Sequence, residues 1–108
     1  MDVNENGVYQ NCEIIALPLP NKNYKEAGVK LAVDNDDHLW RYGVFCIKND
    51  SGHSSPAFKT DKERYDNRDN ALAAGLRKMI NLYPELKPVL IKSKFAMLLL
   101  GEEQLSLF

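Results

Sequence analysis

The stretch His38-Leu39-Trp40-Arg41-Tyr42-Gly43-Val44-Phe45-Cys46-Ile47-Lys48 decides the fold class. Trp40, Tyr42, Val44 and Cys46 fall on one side of an extended chain; Leu39, Arg41, Phe45 and Ile47 fall on the other. Both sides are largely apolar, and β-branched and aromatic residues dominate, which predicts a central strand covered on part of each face. Asn49-Asp50-Ser51-Gly52 follows as a hairpin turn. Upstream, Asp34-Asn35-Asp36-Asp37 makes a tight polar reversal, since Asp and Asn accept turn geometry at little cost.

Outward from this strand, residues 28–33 alternate with Val29, Leu31 and Val33 on one face, a period-two pattern. Residues 7–19 hold Val8, Cys12, Ile14, Ile15 and Leu17, and end at Pro18 and Pro20, so a further strand is expected there. A short last strand is expected over 55–59, with Pro56 placing it at a sheet edge. Ser51 to Ser55, which includes His53, reads as hairpin loop.

The pattern then changes period. Residues 60–70 are a charged connector in which only Tyr65 is a core candidate. Asp66 or Asn67 can cap a following helix, and Asp69 suits its positive end. Leu72, Leu76, Met79, Ile80 and Tyr83 recur at helical spacing and leave Arg77, Lys78 and Asn81 outside. Pro84 or Pro88 can open a second helix, expected over 89–100, with a pair of strands as the alternative. Its apolar surplus is a candidate homodimer contact. The expectation is an α+β domain over residues 1–101: an antiparallel sheet of three or four strands followed by one or two helices packed on one face.

Composition bounds the function classes. The chain has 108 residues, 44 % hydrophobic and 27 % charged, with net charge −1, which suits one soluble core. No apolar run approaches the roughly 20 residues of a membrane span, and the N-terminal residues are acidic and polar, unlike a secretory signal. A cytoplasmic protein with no membrane partner is expected. Cys12 and Cys46 lie in apolar stretches and read as reduced core thiols. With His38 and His53 they show no metal-ligand spacing, so no metal and no cofactor is expected. The 34–37 cluster fails as a calcium loop because Phe45 stands where the bidentate Glu is needed.

No phosphate-cradling glycine loop, nucleophile elbow or paired-His motif occurs, and Ser51, Ser54 and Ser55 near His53 lack an orienting acid. No catalytic residues are assigned and a non-enzyme is expected. Charge is uneven: residues 1–37 carry three Lys against seven acids, whereas 38–101 carry eleven Lys and Arg against six. A basic middle of this kind can approach DNA phosphates. Trp40, Arg41, Tyr42 and Lys48, with Phe45, are the candidate nucleic-acid contacts through stacking and phosphate pairing.

The most specific signal is Gln104-Leu105-Ser106-Leu107-Phe108. Q-L-S-L-F resembles the pentapeptide Q-L-(S/D)-L-F by which bacterial replication and repair proteins hold the DNA sliding clamp, and all five positions agree. A window matches by chance about once in 10⁵ to 10⁶. The resemblance implies that Gln104 hydrogen-bonds at a pocket rim and that Leu107 and Phe108 are the deep anchors. Leu105 would fill a shallower depression, and Ser106 need only be small. Gly101 is a helix-ending residue, and Glu102 and Glu103 make a tether of about 7–10 Å, so 102–108 is expected to be a flexible tail. The implied function is a small accessory protein recruited to the clamp in DNA replication or repair, of the kind that phages and other mobile elements encode. Occupying the clamp pocket would also exclude polymerases that use the same peptide. Two alternatives stand beside it: a nucleic-acid binder that needs no clamp, and an interaction or dimerisation domain in which Leu105 and Leu107 form one face of an edge strand.

Overall fold

The computed structural model describes residues 3–99. The fold is α+β, with strands β1 (Glu13–Ala16), β2 (Tyr24–Val33), β3 (Trp40–Lys48) and β4 (Gly52–Ser55) followed by helices α1 (Arg68–Leu82) and α2 (Leu86–Leu90). The four strands form an antiparallel meander in the order β1-β2-β3-β4. β3 is central, as its two apolar faces predict, with Val44 opposite Val29 and Tyr42 opposite Leu31.

Register decides which side chains meet the helices. Val29, Leu31, Val44 and Cys46 point to one face and pack with Leu72, Leu76 and Met79 of α1, and with Leu86 and Leu90 of α2. All nine are at most 3 % exposed. Burying one such side chain contributes about 1.5–3 kcal/mol, so this layer is the main source of stability. Trp40, Tyr42 and Tyr65 pack at its margin. Tyr65 is fixed there because its N–H donates to the Trp40 carbonyl at 2.9 Å and its own carbonyl accepts from the Trp40 N–H at 2.7 Å.

Helix α1 begins where the capping chemistry places it. The Asn67 side-chain oxygen accepts from the Asn70 N–H at 2.8 Å, satisfying one of the first-turn donors that have no partner within the helix. Asn67→Ala is expected to cost about 1 kcal/mol, read as a lower urea midpoint with an unchanged slope. An unaltered midpoint would show that tertiary packing alone sets this boundary.

Four expectations about element limits need correction. The first strand is confined to Glu13–Ala16, because residues 3–12 leave the sheet edge and bridge instead to Phe58 and within themselves. β2 starts at Tyr24, not 28; a register shift between Tyr24 and Glu26 breaks the alternation that would reveal it. β4 is Gly52–Ser55, not 55–59. Hence Gly52 to Ser55, read as loop, are strand: Ser54 pairs with Phe45 and Gly52 with Ile47. β4 is an edge strand that stops just before Pro56, whose ring cannot donate to a ladder. The helix expected over 89–100 is interrupted at 91–95 and resumes at 96–99. Ser93 causes the break: its hydroxyl donates to the Leu90 carbonyl at 2.6 Å and accepts from the Phe95 N–H at 3.1 Å, a local alternative to helical bonding.

Candidate functional site

The helices cover one face of the sheet and leave the opposite face to be covered by other segments or left open. That face divides into two parts with different chemistry.

At one end a polar network closes the sheet. Asp34, Asn35, Asp36 and Asp37 form the predicted turn between β2 and β3, and the Asp34 Oδ1 accepts from the Asp36 and Asp37 N–H groups at 2.8 and 3.3 Å. The Tyr9 hydroxyl donates to the other Asp34 oxygen. Arg41 lies one strand over and is only 1 % exposed. Its guanidinium grips both Asp37 oxygens at 3.0 and 2.7 Å and donates to the carbonyls of Leu39 and Lys59 at 3.0 and 3.3 Å. Its Nε is buried without a partner. Tyr9, Ala32 and Ala57 pack beneath as a second small core. Ala57 arrives there because the chain after β4 crosses directly over Gly43, where any Cβ would strike the Ser55 carbonyl and the backbone of Pro56 and Ala57.

These contacts set the ionisation of the network. The Tyr9 hydrogen bond, then the Asp36 N–H, hold the Asp34 carboxyl below its ordinary value. The Arg41 guanidinium, then the Leu39 N–H, hold Asp37 well below the carboxylate range. Burial first, and then the bond to Asp34, push the Tyr9 hydroxyl above its usual range. Both acids therefore bind protons more weakly in the folded chain than in the unfolded one. The stability they lend is complete above the unfolded value of about 4 and is lost as pH falls through the folded values. Thermal melts should give a constant Tm from about pH 7 to pH 5 and a falling one below about pH 4, with a shallower fall in Asp34→Asn. A flat profile down to about pH 2.5 would rule the network out as an acid-sensitive element.

The rest of the face is open. Ile14 and Ala16 of β1, Lys30 of β2, Phe45 and Ile47 of β3, and Gly52 and Ser54 of β4 border a groove of about 750 Å³, which Leu19 extends beyond β1. Gly28 makes room for the Phe45 ring, since a Cβ there would sit 2.5 Å from it. The Lys30 ammonium lies 5.6 Å from the centre of that ring and donates to the Ser54 hydroxyl at 3.0 Å. Apart from Lys25, Glu26, Lys30, His53 and Ser54, the recess is lined by apolar side chains and Gly52.

The predicted contacts are distributed as follows. Trp40, Tyr42 and Lys48 share the helix-covered face: Trp40 and Tyr42 are half-buried against the core, and the Lys48 ammonium sits 4.8 Å from the Tyr24 ring centre and 5.6 Å from that of Tyr83. Arg41 lies on the other face, buried in its bond with Asp37. The four do not form one surface. Cys12 and Cys46 are free thiols in different clusters. Gln104, Leu105, Ser106, Leu107 and Phe108 lie outside the described residues. The open groove was not predicted. Its signal was the non-helical side of the β3 alternation, with Phe45 and Ile47, set beside Ile14; no sequence rule announced that the helices would leave it uncovered. No known family model matches this chain, and comparison with curated proteins and with solved structures finds none that is similar to it.

Proposed function

We propose that this protein is a non-enzymatic accessory factor that attaches to a bacterial DNA sliding clamp through Gln104, Leu105, Ser106, Leu107 and Phe108, and acts in the cytoplasm in DNA replication or repair. The observation that carries the proposal is the agreement of all five positions with the clamp-binding pattern. The body favours attachment through this peptide over direct DNA contact. Several of its cations are already engaged: Arg41 with Asp37, Lys59 with Asp36, and Arg68 with Glu13. Each neutralised pair removes a charge that phosphate binding would need.

A single extended peptide supplies limited affinity. Burial of Leu107 and Phe108 is worth about 3–6 kcal/mol in all, and the ordering of the segment offsets part of it. Leu105 and the Gln104 hydrogen bonds add to the two anchors, and binding of the full chain to purified clamp is expected in the micromolar range, about −8 kcal/mol; a clamp-binding polymerase peptide should displace it. A chain that competes in this way excludes other clamp clients while bound. Absence of binding at about 100 μM protein would remove the proposal, and oligonucleotide binding that does not require residues 104–108 would favour a nucleic-acid role in its place.

A further inference from the structure

The groove on the open face gathers exposed apolar side chains. Ile14 is 63 % exposed and Leu19 and Ile47 are each 38 % exposed, although they lie side by side around one concavity. Exposed apolar groups so clustered mark an interaction site, and the volume is in the range of ligand-holding recesses. From β1 to β4 the patch spans three strand spacings, about 14 Å, and about four residues, ~13 Å, along the strands. That footprint falls well short of the roughly 800 Å² per partner that a stable second copy needs. One strand-like segment would fill it.

The rim carries Lys25 and Lys30 against a single acid, Glu26, so it favours an occupant with acids flanking alternate apolar residues. Residues 102–108, Glu-Glu-Gln-Leu-Ser-Leu-Phe, have that pattern. They are also within reach. Leu99 belongs to the same core cluster as Leu17, and Leu17 lines the groove. The loop that follows Leu17 runs to the helical layer, where the Asn21 amide donates to Glu85 at 3.2 Å. The body is 19 Å across its thinnest direction, whereas nine extended residues span about 30 Å.

We propose that residues 102–108 dock in this groove in the free protein, with Leu105 and Leu107 on the side toward Ile14, Phe45 and Ile47, Phe108 closing the end, and the acids Glu102 and Glu103 toward the rim that carries Lys25 and Lys30. The docked segment is withheld from partners until one competes for it. The consequence for the sliding clamp rests on the function proposed above; the docking does not.

The test uses the full-length chain. Amide resonances of Ile14, Lys30, Phe45 and Ile47 should move when Leu105, Leu107 and Phe108 are all changed to Ser, while those of α1 stay in place. A synthetic 99–108 peptide added to that variant should return them toward their original positions. Unmoved groove resonances overturn the docking, and so do shifts that scale with protein concentration, which place the segment on a second copy. Clamp titrations form a separate arm. A segment docked nine-tenths of the time binds about tenfold more weakly than the free peptide, and Ile47→Ser should recover that factor. Equal affinities for the intact chain, the variant and the peptide also overturn the docking. A clamp that binds none of them overturns the proposed function and leaves the spectra to decide the docking.

Discussion

Full-length protein with both Leu107→Ala and Phe108→Ala binds the sliding clamp at least about tenfold more weakly than the unaltered chain. The magnitude follows from transfer free energies. Complete burial of either side chain is worth about 1.5–3 kcal/mol, and truncation to Ala removes most of it, so losing both costs about 2–5 kcal/mol of clamp contact, a factor of about 30 or more for a segment with no other site. Leu105→Ala, at a shallower position, should cost less than either anchor. Ser106→Asp should be nearly neutral, because the pattern Q-L-(S/D)-L-F accepts either residue. The folded body provides the control: the far-UV circular dichroism set by the sheet and helices should be unchanged. Retention of binding within about threefold in the double variant would mean that another surface makes the contact, and the peptide match would then be coincidental.

Docking of the same segment on the open face would make this loss smaller in apparent terms. The anchors leave one groove to enter another, so part of their burial is present before the clamp arrives. The measured factor then reports the difference between two sites. A synthetic 99–108 peptide, which has no groove to leave, should show the larger loss for the same two substitutions. The comparison of peptide with chain thus reads the competition directly.

How far the sequence carried the architecture depends on where each element draws its stability. β3 and α1 were legible because their own side chains decide their fate: period two across Trp40, Tyr42, Val44 and Cys46, and helical spacing through Leu72, Leu76 and Met79, with Asn67 as cap. β4 was not, because Gly52-His53-Ser54-Ser55 has little strand preference of its own and is extended by pairing with Phe45 and Ile47. The helix break at Ser93 was hidden for a related reason, since a hydroxyl bonded to the preceding turn competes with helix only where the local backbone permits it. The alternation placed Arg41 and Phe45 on one face, but nothing local told their fates apart. Arg41 is buried because Asp37 waits four residues back and Tyr9, Ala32 and Ala57 close over it, whereas Phe45 stays half-exposed because no segment of the described chain crosses that end. Sequence patterns report faces; coverage depends on contacts made from far along the chain.

Arg41 gives the largest expected effect on stability. Asp37→Ala leaves a guanidinium that is 1 % exposed with two carbonyls and only the Asp34 carboxylate, which makes no hydrogen bond to it, as counter-charge. Removing one partner of a buried pair is strongly destabilising, because the remaining charge is neither hydrated nor matched. Asp37 is itself about one-third exposed, so water can reach the vacated position and soften the penalty. With the usual relation between stability and melting temperature for a domain of this size, Tm should fall by about 8–15 °C. The same logic makes the double replacement informative. Arg41→Met together with Asp37→Leu removes both charges, fills much of the volume and eliminates the unpartnered Arg41 Nε, so it should recover most of the lost Tm. If the double variant melts as low as Asp37→Ala, the deficit lies in the lost Leu39 and Lys59 carbonyl contacts and not in an uncompensated charge. If Asp37→Ala itself melts within about 2 °C of the parent, the bond between Arg41 and Asp37 contributes little to stability, and the second small core of Tyr9, Ala32 and Ala57 closes that end of the sheet by packing alone.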